Sequence, residues 1–201
     1  MTHYKLLVAA PLAGALAALA ACGGSSTSTP TPTARPSASP TATASASPTL
    51  SSNPAMNLNL TDSEVPSSAA GVLTQAADGL LGGKSNTDQR VFATADRSLV
   101  IEADIILETT PAGVTGDYPL IRDAGKGRVT TLSASSSPTI GDHADEYVGT
   151  AADGKRIVVI AFKRALTVDV VLVEAGTTTT VDPSYAESVA LALDSKIQSH
   201  A

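Results

Sequence analysis

Residues 23–54 of this 201-residue chain cannot contribute to a core. Of these 32 residues, 16 are Ser or Thr, 6 are Pro, and Arg35 is the only charge. Such a composition buries too little apolar surface to offset the ordering of the chain. What can fold is confined to residues 55–201, and 147 residues suit one domain with a single core. That stretch contains no cysteine, because Cys22 is the only one in the chain. Disulfides, thiolate metal sites and a cysteine nucleophile are therefore excluded from the domain. Packing alone must hold it.

Upstream, Lys5 and the amino terminus form a short positive region, followed by an apolar run of 16 residues, Leu6 to Ala21, broken by Pro11 and Gly14. About 20 apolar residues are needed to cross a bilayer, so residues 1–21 read as a secretory signal. Leu19-Ala20-Ala21-Cys22 resembles the lipobox of bacterial lipoproteins. The resemblance implies cleavage before Cys22, acylation of that residue with palmitate-like chains, and retention on the extracytoplasmic face of the cell membrane. Two long chains make a firm anchor where one is marginal, since each buried methylene contributes about 0.8 kcal/mol. Residues 22–54 are then the lipidated cysteine and a disordered tether. Its Ser, Thr and Pro mixture resembles the glycosylated stalks of exported proteins, with a reach of roughly 30 Å as a coil and near ~100 Å as polyproline II.

All 19 acidic residues lie in the domain against 11 Lys and Arg, since Lys5 and Arg35 lie upstream, giving a net charge of −8. An acidic surface argues against nucleic acid and against electrostatic adhesion to anionic lipid. Membrane contact would rest on the lipid.

Hydrophobic periodicity predicts strands over residues 90–94 and 99–107, joined by a turn at Asp96-Arg97. Further strands are expected over residues 146–150 and 156–162 around the Asp153-Gly154 hairpin signal, and over 166–173. Ile157 to Phe162 is apolar on both faces, which predicts a central strand. Asp182 as N-cap, Pro183 at the first position and the spacing of Tyr185, Val189, Leu193 and Ile197 predict a terminal helix. An earlier helix is expected over residues 118–132, although Gly125 and Gly127 each disfavour it by about 1 kcal/mol. Between Leu58 and Lys84 only a short strand near residues 70–75 and a glycine-rich loop are expected. The fold class is α+β, an antiparallel sheet of about five to seven strands against two helices in the order β-β-α-β-β-β-α.

Lipobox, stalk, the segment Asp142 to Gly149 (DHADEYVG), Asp153-Gly154, the central strand and the terminal helix together resemble small envelope lipoproteins of actinobacteria and similar bacteria. Some of those carry sensor-like or PsbP-like domains. The resemblance covers Ser98 to Ala201 best and carries over no functional residues.

The densest polar cluster is Asp142, His143, Asp145 and Glu146. These four are the candidate metal ligands, but one histidine without HExxH spacing disfavours zinc, and calcium needs more oxygens. The competing reading is a solvated loop in which Asp142 turns the chain and Glu146 faces water. His143 is the only histidine available as a base, no GxSxG is present, and the serines of residues 133–137 read as a flexible loop. No phosphate-binding glycine motif occurs, and no cofactor is expected. Lys155-Arg156 and Lys163-Arg164 bracket one strand, either to hold an anionic wall polymer or to keep a sheet edge soluble.

These readings lead to a non-enzymatic, lipid-anchored domain that binds a ligand or protein partner of the cell envelope. The alternatives are an envelope hydrolase or metal-dependent enzyme using residues 142–146, and a purely structural envelope protein.

Overall fold

The computed structural model describes residues 53–176 and 180–200. Cys22, the signal over residues 1–21 and the tether through residue 52 lie outside the described residues. Asn53 and Pro54, assigned above to the tether, belong to the folded body. Asn53 caps a short helix α1 (Pro54–Leu58) by accepting from the Ala55 N–H, and its amide donates to Thr87 O at 2.7 Å.

The chain is α+β, with seven antiparallel strands in one sheet. They are β1 (Thr74–Gly79), β2 (Thr87–Ala93), β3 (Leu99–Leu107), β4 (Thr131–Ser136), β5 (His143–Thr150), β6 (Arg156–Arg164) and β7 (Thr167–Ala175). Two long helices, α2 (Pro111–Lys126) and α3 (Pro183–His200), complete the fold. Strand order across the sheet is β1-β2-β3-β7-β6-β5-β4, so β7 inserts between β3 and β6. Its pairing runs from Leu99–Ala175 to Leu107–Thr167 on one side and from Arg156–Ala175 to Arg164–Thr167 on the other.

Four elements depart from the expected order or bounds. α1 precedes the sheet, and β1 begins four residues beyond the anticipated start and extends to Gly79, followed by a 3-10 turn at Leu81–Gly83. The serine run expected as a loop is β4, an edge strand exposed along its whole length. Burial cannot announce such a strand in the sequence, since neither of its faces is apolar. α2 begins seven residues before the expected helix and ends at Lys126. Thr110 supplies the N-cap, accepting from Gly113 N–H at 3.1 Å, and Pro111 stands in the first turn. Pro119, inside α2, is the signal that hides this start, because an interior proline removes a helical hydrogen bond.

The helices take opposite faces. α3 and α1 cover Ile101, Ile105, Ile160, Phe162, Val171 and Val173, among others, and α2 covers Val159, Ala161, Val168, Val170 and Leu172. Ile157 to Phe162 is buried throughout, as a strand covered on both sides must be. α3 starts as predicted, with Asp182 Oδ1 accepting from Ser184 N–H at 3.0 Å. Burying Val189, Leu193 and Ile197 stabilises the domain by roughly 1.5–3 kcal/mol for each side chain. α2 packs closely because Gly125 leaves room: a Cβ there would stand 3.0 Å from Val159 Cγ1.

Candidate functional site

The two-residue period of a strand decides what becomes of the polar quartet. Residues 142–146 were expected as a loop, but β5 begins at His143. Alternation then turns Tyr147, and with it His143 and Asp145, toward α2, while Ala144 and Val148 join the α3 face and Glu146 with them. Asp142 stays outside the strand, with Oδ1 3.3 Å from Arg164 Nη1 and Oδ2 accepting from Ala165 N–H at 2.8 Å. Glu146 does not face water: it is 5% exposed, its Oε1 accepts from Ser136 Oγ at 2.8 Å, and Oε2 is buried without a partner. Burial pushes the Glu146 carboxyl up, the Ser136 hydrogen bond opposes this, and the charge of Glu187 adds to it. The four candidate ligands therefore do not converge. Among the described residues no three His, Cys, Asp or Glu side chains gather as a metal site. Ser136, paired with Glu146, lies on the face opposite His143.

Polar groups do converge on the α2 side. Asp145 Oδ2 stands 2.9 Å from Tyr118 Oη, 3.5 Å from His143 Nε2 and 3.9 Å from Arg122 Nη1. The Tyr118 hydroxyl also lies 3.1 Å from Ala161 O, which places this phenol at the junction of α2, β5 and β6. The His143 ring meets Tyr118 edge-on, centroids 5.5 Å apart. Lys163 Nζ sits 5.6 Å from the Tyr118 ring centre and Lys126 Nζ 5.4 Å from that of Tyr147. Burial, then the hydrogen bond to Asp145 and its charge, push the Tyr118 hydroxyl up, so it serves as a neutral donor. Half of the His143 side chain is exposed, at 51%. The cluster can bind and orient a charged group at a surface.

Another buried polar group lies on the α3 face. Asp169 is fully buried, and burial pushes its carboxyl well above the usual carboxylate range, with Asp194 adding to the effect. Thr167 Oγ1 lies 3.0 Å from Arg164 O and 2.7 Å from Asp169 Oδ2, and its single hydrogen serves only one acceptor. A protonated Asp169 resolves this by donating to Thr167 while Thr167 donates to Arg164 O. Asp194 behaves oppositely: burial disfavours its charge, but two hydrogen bonds from Arg164, at 2.7 and 2.6 Å, together with the Arg164 charge hold its carboxyl low.

The basic pairs of β6 are split by the same alternation. Lys155 pairs with Asp153 and Glu174, and Arg164 with Asp194 and Asp142, leaving Lys163 on the α2 side. β6 lies between β5 and β7, so these charges protect no sheet edge. Sequence reasoning missed Tyr118, Arg122 and Lys126 as site residues. Their spacing was the available signal, since Tyr118, Arg122 and Lys126 recur every four residues along α2.

A concavity between β5, β6 and the approach to α3, lined by Val148, Ile157 and Val181 among others, measures about 180 Å³. That is below the roughly 300 Å³ at the small end of ligand pockets. No described helix is long and apolar enough to cross a membrane. Comparison of the chain with protein-family models, curated proteins and solved structures found no match.

Proposed function

We propose that this chain is a lipid-anchored extracytoplasmic protein whose α+β domain binds a ligand or partner of the cell envelope, without catalysis. The observation that carries the anchor is Leu19-Ala20-Ala21-Cys22 at the end of an apolar run, followed by the Ser/Thr/Pro-rich segment that leads to Asn53. Binding is favoured over chemistry because two of the residues an enzyme would draw from positions 142–146 stand apart from His143 and Asp145: Glu146 lies on the opposite face of β5 and Asp142 pairs with Arg164 outside the strand. The groups that do converge, around Asp145, are suited to holding charge at a surface. Intact-mass measurement of the membrane-extracted protein beside a Cys22→Ala version tests the anchor. A lipid-sized mass increment on the wild type alone is expected; its absence from both would remove the anchor. Activity against envelope substrates abolished by His143→Ala would instead establish an enzyme.

A further inference from the structure

We propose that the α2 side of β5 and β6 is a binding site for a flexible phosphodiester polyanion, with Lys126 and Lys163 as its principal contacts. This gives the binding reading above a ligand class. The domain has more acids than bases, so cations are expected to find carboxylate partners, and most do. Lys155 pairs with Asp153 and Glu174, Lys196 with Glu64, Arg90 with Asp88, Arg128 with Glu102, and Arg164 with Asp142 and Asp194. Among the described residues Lys126 and Lys163 make no ion pair with a carboxylate, and they stand on the same face. Each ammonium is instead held over a tyrosine ring, Lys126 over Tyr147 and Lys163 over Tyr118. Arg122 and His143 stand around Asp145 on the same face, His143 as the cross-strand partner of Lys163. Lys126 and Lys163 thus stand as two ammonium groups without carboxylate partners on either side of the Asp145 cluster, on a domain of net charge −8.

The class of anion follows from the donors. The Arg122 fork is occupied by Asp123, whose Oδ1 takes both Nε at 2.9 Å and Nη2 at 2.8 Å. What remains are two lysine point charges with rotating donors, which suit phosphate oxygens and offer no planar fork to a carboxylate. Two separated ammonium groups over two different rings match a repeating monoanion better than one compact ion. A single strand also senses chiefly the charges of this face, because those beyond about 8 Å are largely screened at physiological ionic strength. A bilayer surface would face the rest of the acidic domain as well.

The test titrates the full chain in detergent at low salt with a synthetic poly(glycerol phosphate) oligomer. Short-chain phosphatidylglycerol in the same detergent serves as the lipid-headgroup arm. The polymer is expected to bind, to weaken as salt is raised, and to lose about tenfold or more in affinity for K126Q/K163Q. R97Q, which removes an exposed cation on the β2–β3 turn, is expected to leave binding unchanged. Unchanged far-UV circular dichroism keeps a loss attributable to the lysines. Failure of the wild type to bind the polymer, equal affinity of K126Q/K163Q, or binding of the phosphatidylglycerol alone would overturn the proposal. The mass measurement at Cys22 is independent of all three outcomes, so the anchor and the ligand class can fail separately.

Discussion

The two faces of the sheet are built on different physical terms. On one, α3 sets Ala186, Val189, Ala190, Leu193 and Ile197 against the strands, and these side chains are buried at 0–2% exposure. On the other, α2 buries only Val114, Tyr118 and Gly125, carries Pro119 in its interior and includes Gly113 and Gly116. Glycine disfavours a helix by about 1 kcal/mol and proline by about 3 relative to alanine, so α2 owes its existence to its dock on β6 and β7. A helix with a continuous apolar stripe carries stability. One with a broken stripe, but with Tyr118, Arg122 and Lys126 in line, carries polar chemistry.

The largest effect that could break this contrast comes from truncating each helix. Leu193→Ala is expected to lose about 2–5 kcal/mol of unfolding free energy in urea titrations. Leu120→Ala, at a position 51% exposed on α2, should change it by less than about 0.5 kcal/mol. Equal losses would show that the two helices do not differ in this way.

The α3 face buries carboxyls that burial pushes up, Glu146 and the deeper Asp169 among them, and pH exposes the second. Its folded-state pKa is raised, so the folded protein keeps a proton that the unfolded chain releases above about pH 3.9. Its stabilising contribution is therefore complete below that pH and is lost as pH rises toward the folded pKa. Asp169→Asn mimics the protonated form, and its stability relative to wild type should grow by up to about 1.4 kcal/mol per pH unit through that window. Parallel pH profiles for the two proteins would place the Asp169 charge outside the core.

Gly149 sharpens the comparison at the rim of the α2 side. A Cβ there would collide with Thr131 O and Val129 Cγ1, so β4 and the exit from α2 can lie against β5 only beside a glycine. Gly149→Ala should cost about 1–3 kcal/mol and raise amide exchange in Thr131–Ser136 while leaving α3 protected. The last effect belongs to neither face. Ala165 holds φ of 49° in the β6–β7 turn, and Ala165→Gly should stabilise by up to about 1 kcal/mol in the same urea titration.

Elements with a strong local signal were legible. Leu99–Leu107 alternates in sequence and in burial, Ile157 to Phe162 is apolar and buried on both sides, and Asp182-Pro183 opens α3. Elements whose signal is weak or contradicted were not. β4 has no apolar face, α1 is one turn long, and Pro119 disguised the first half of α2. The candidate site was half legible. His143 and Asp145 stood out only within the quartet of residues 142–146, and their partners Tyr118 and Arg122 come from another element, 27 and 23 residues before Asp145 in the chain.

By itself, the sequence determined what depends on composition and local pattern. The Ser, Thr and Pro of residues 23–52 offer little apolar surface to bury, the domain can have no disulfide, and a sheet must alternate with a capped terminal helix. Only the tertiary structure decided which polar groups meet. A shift of one residue in a strand's register turns all of its side chains to the other face. The start of β5 at His143 thus separated Glu146 from Asp145, though they are adjacent in the chain, and packing of α2 brought Tyr118 to Asp145 across the fold. Charge is set the same way. Asp169 and Asp194 are the same residue type, and only burial without a cation in the first case and pairing with Arg164 in the second push their carboxyls in opposite directions.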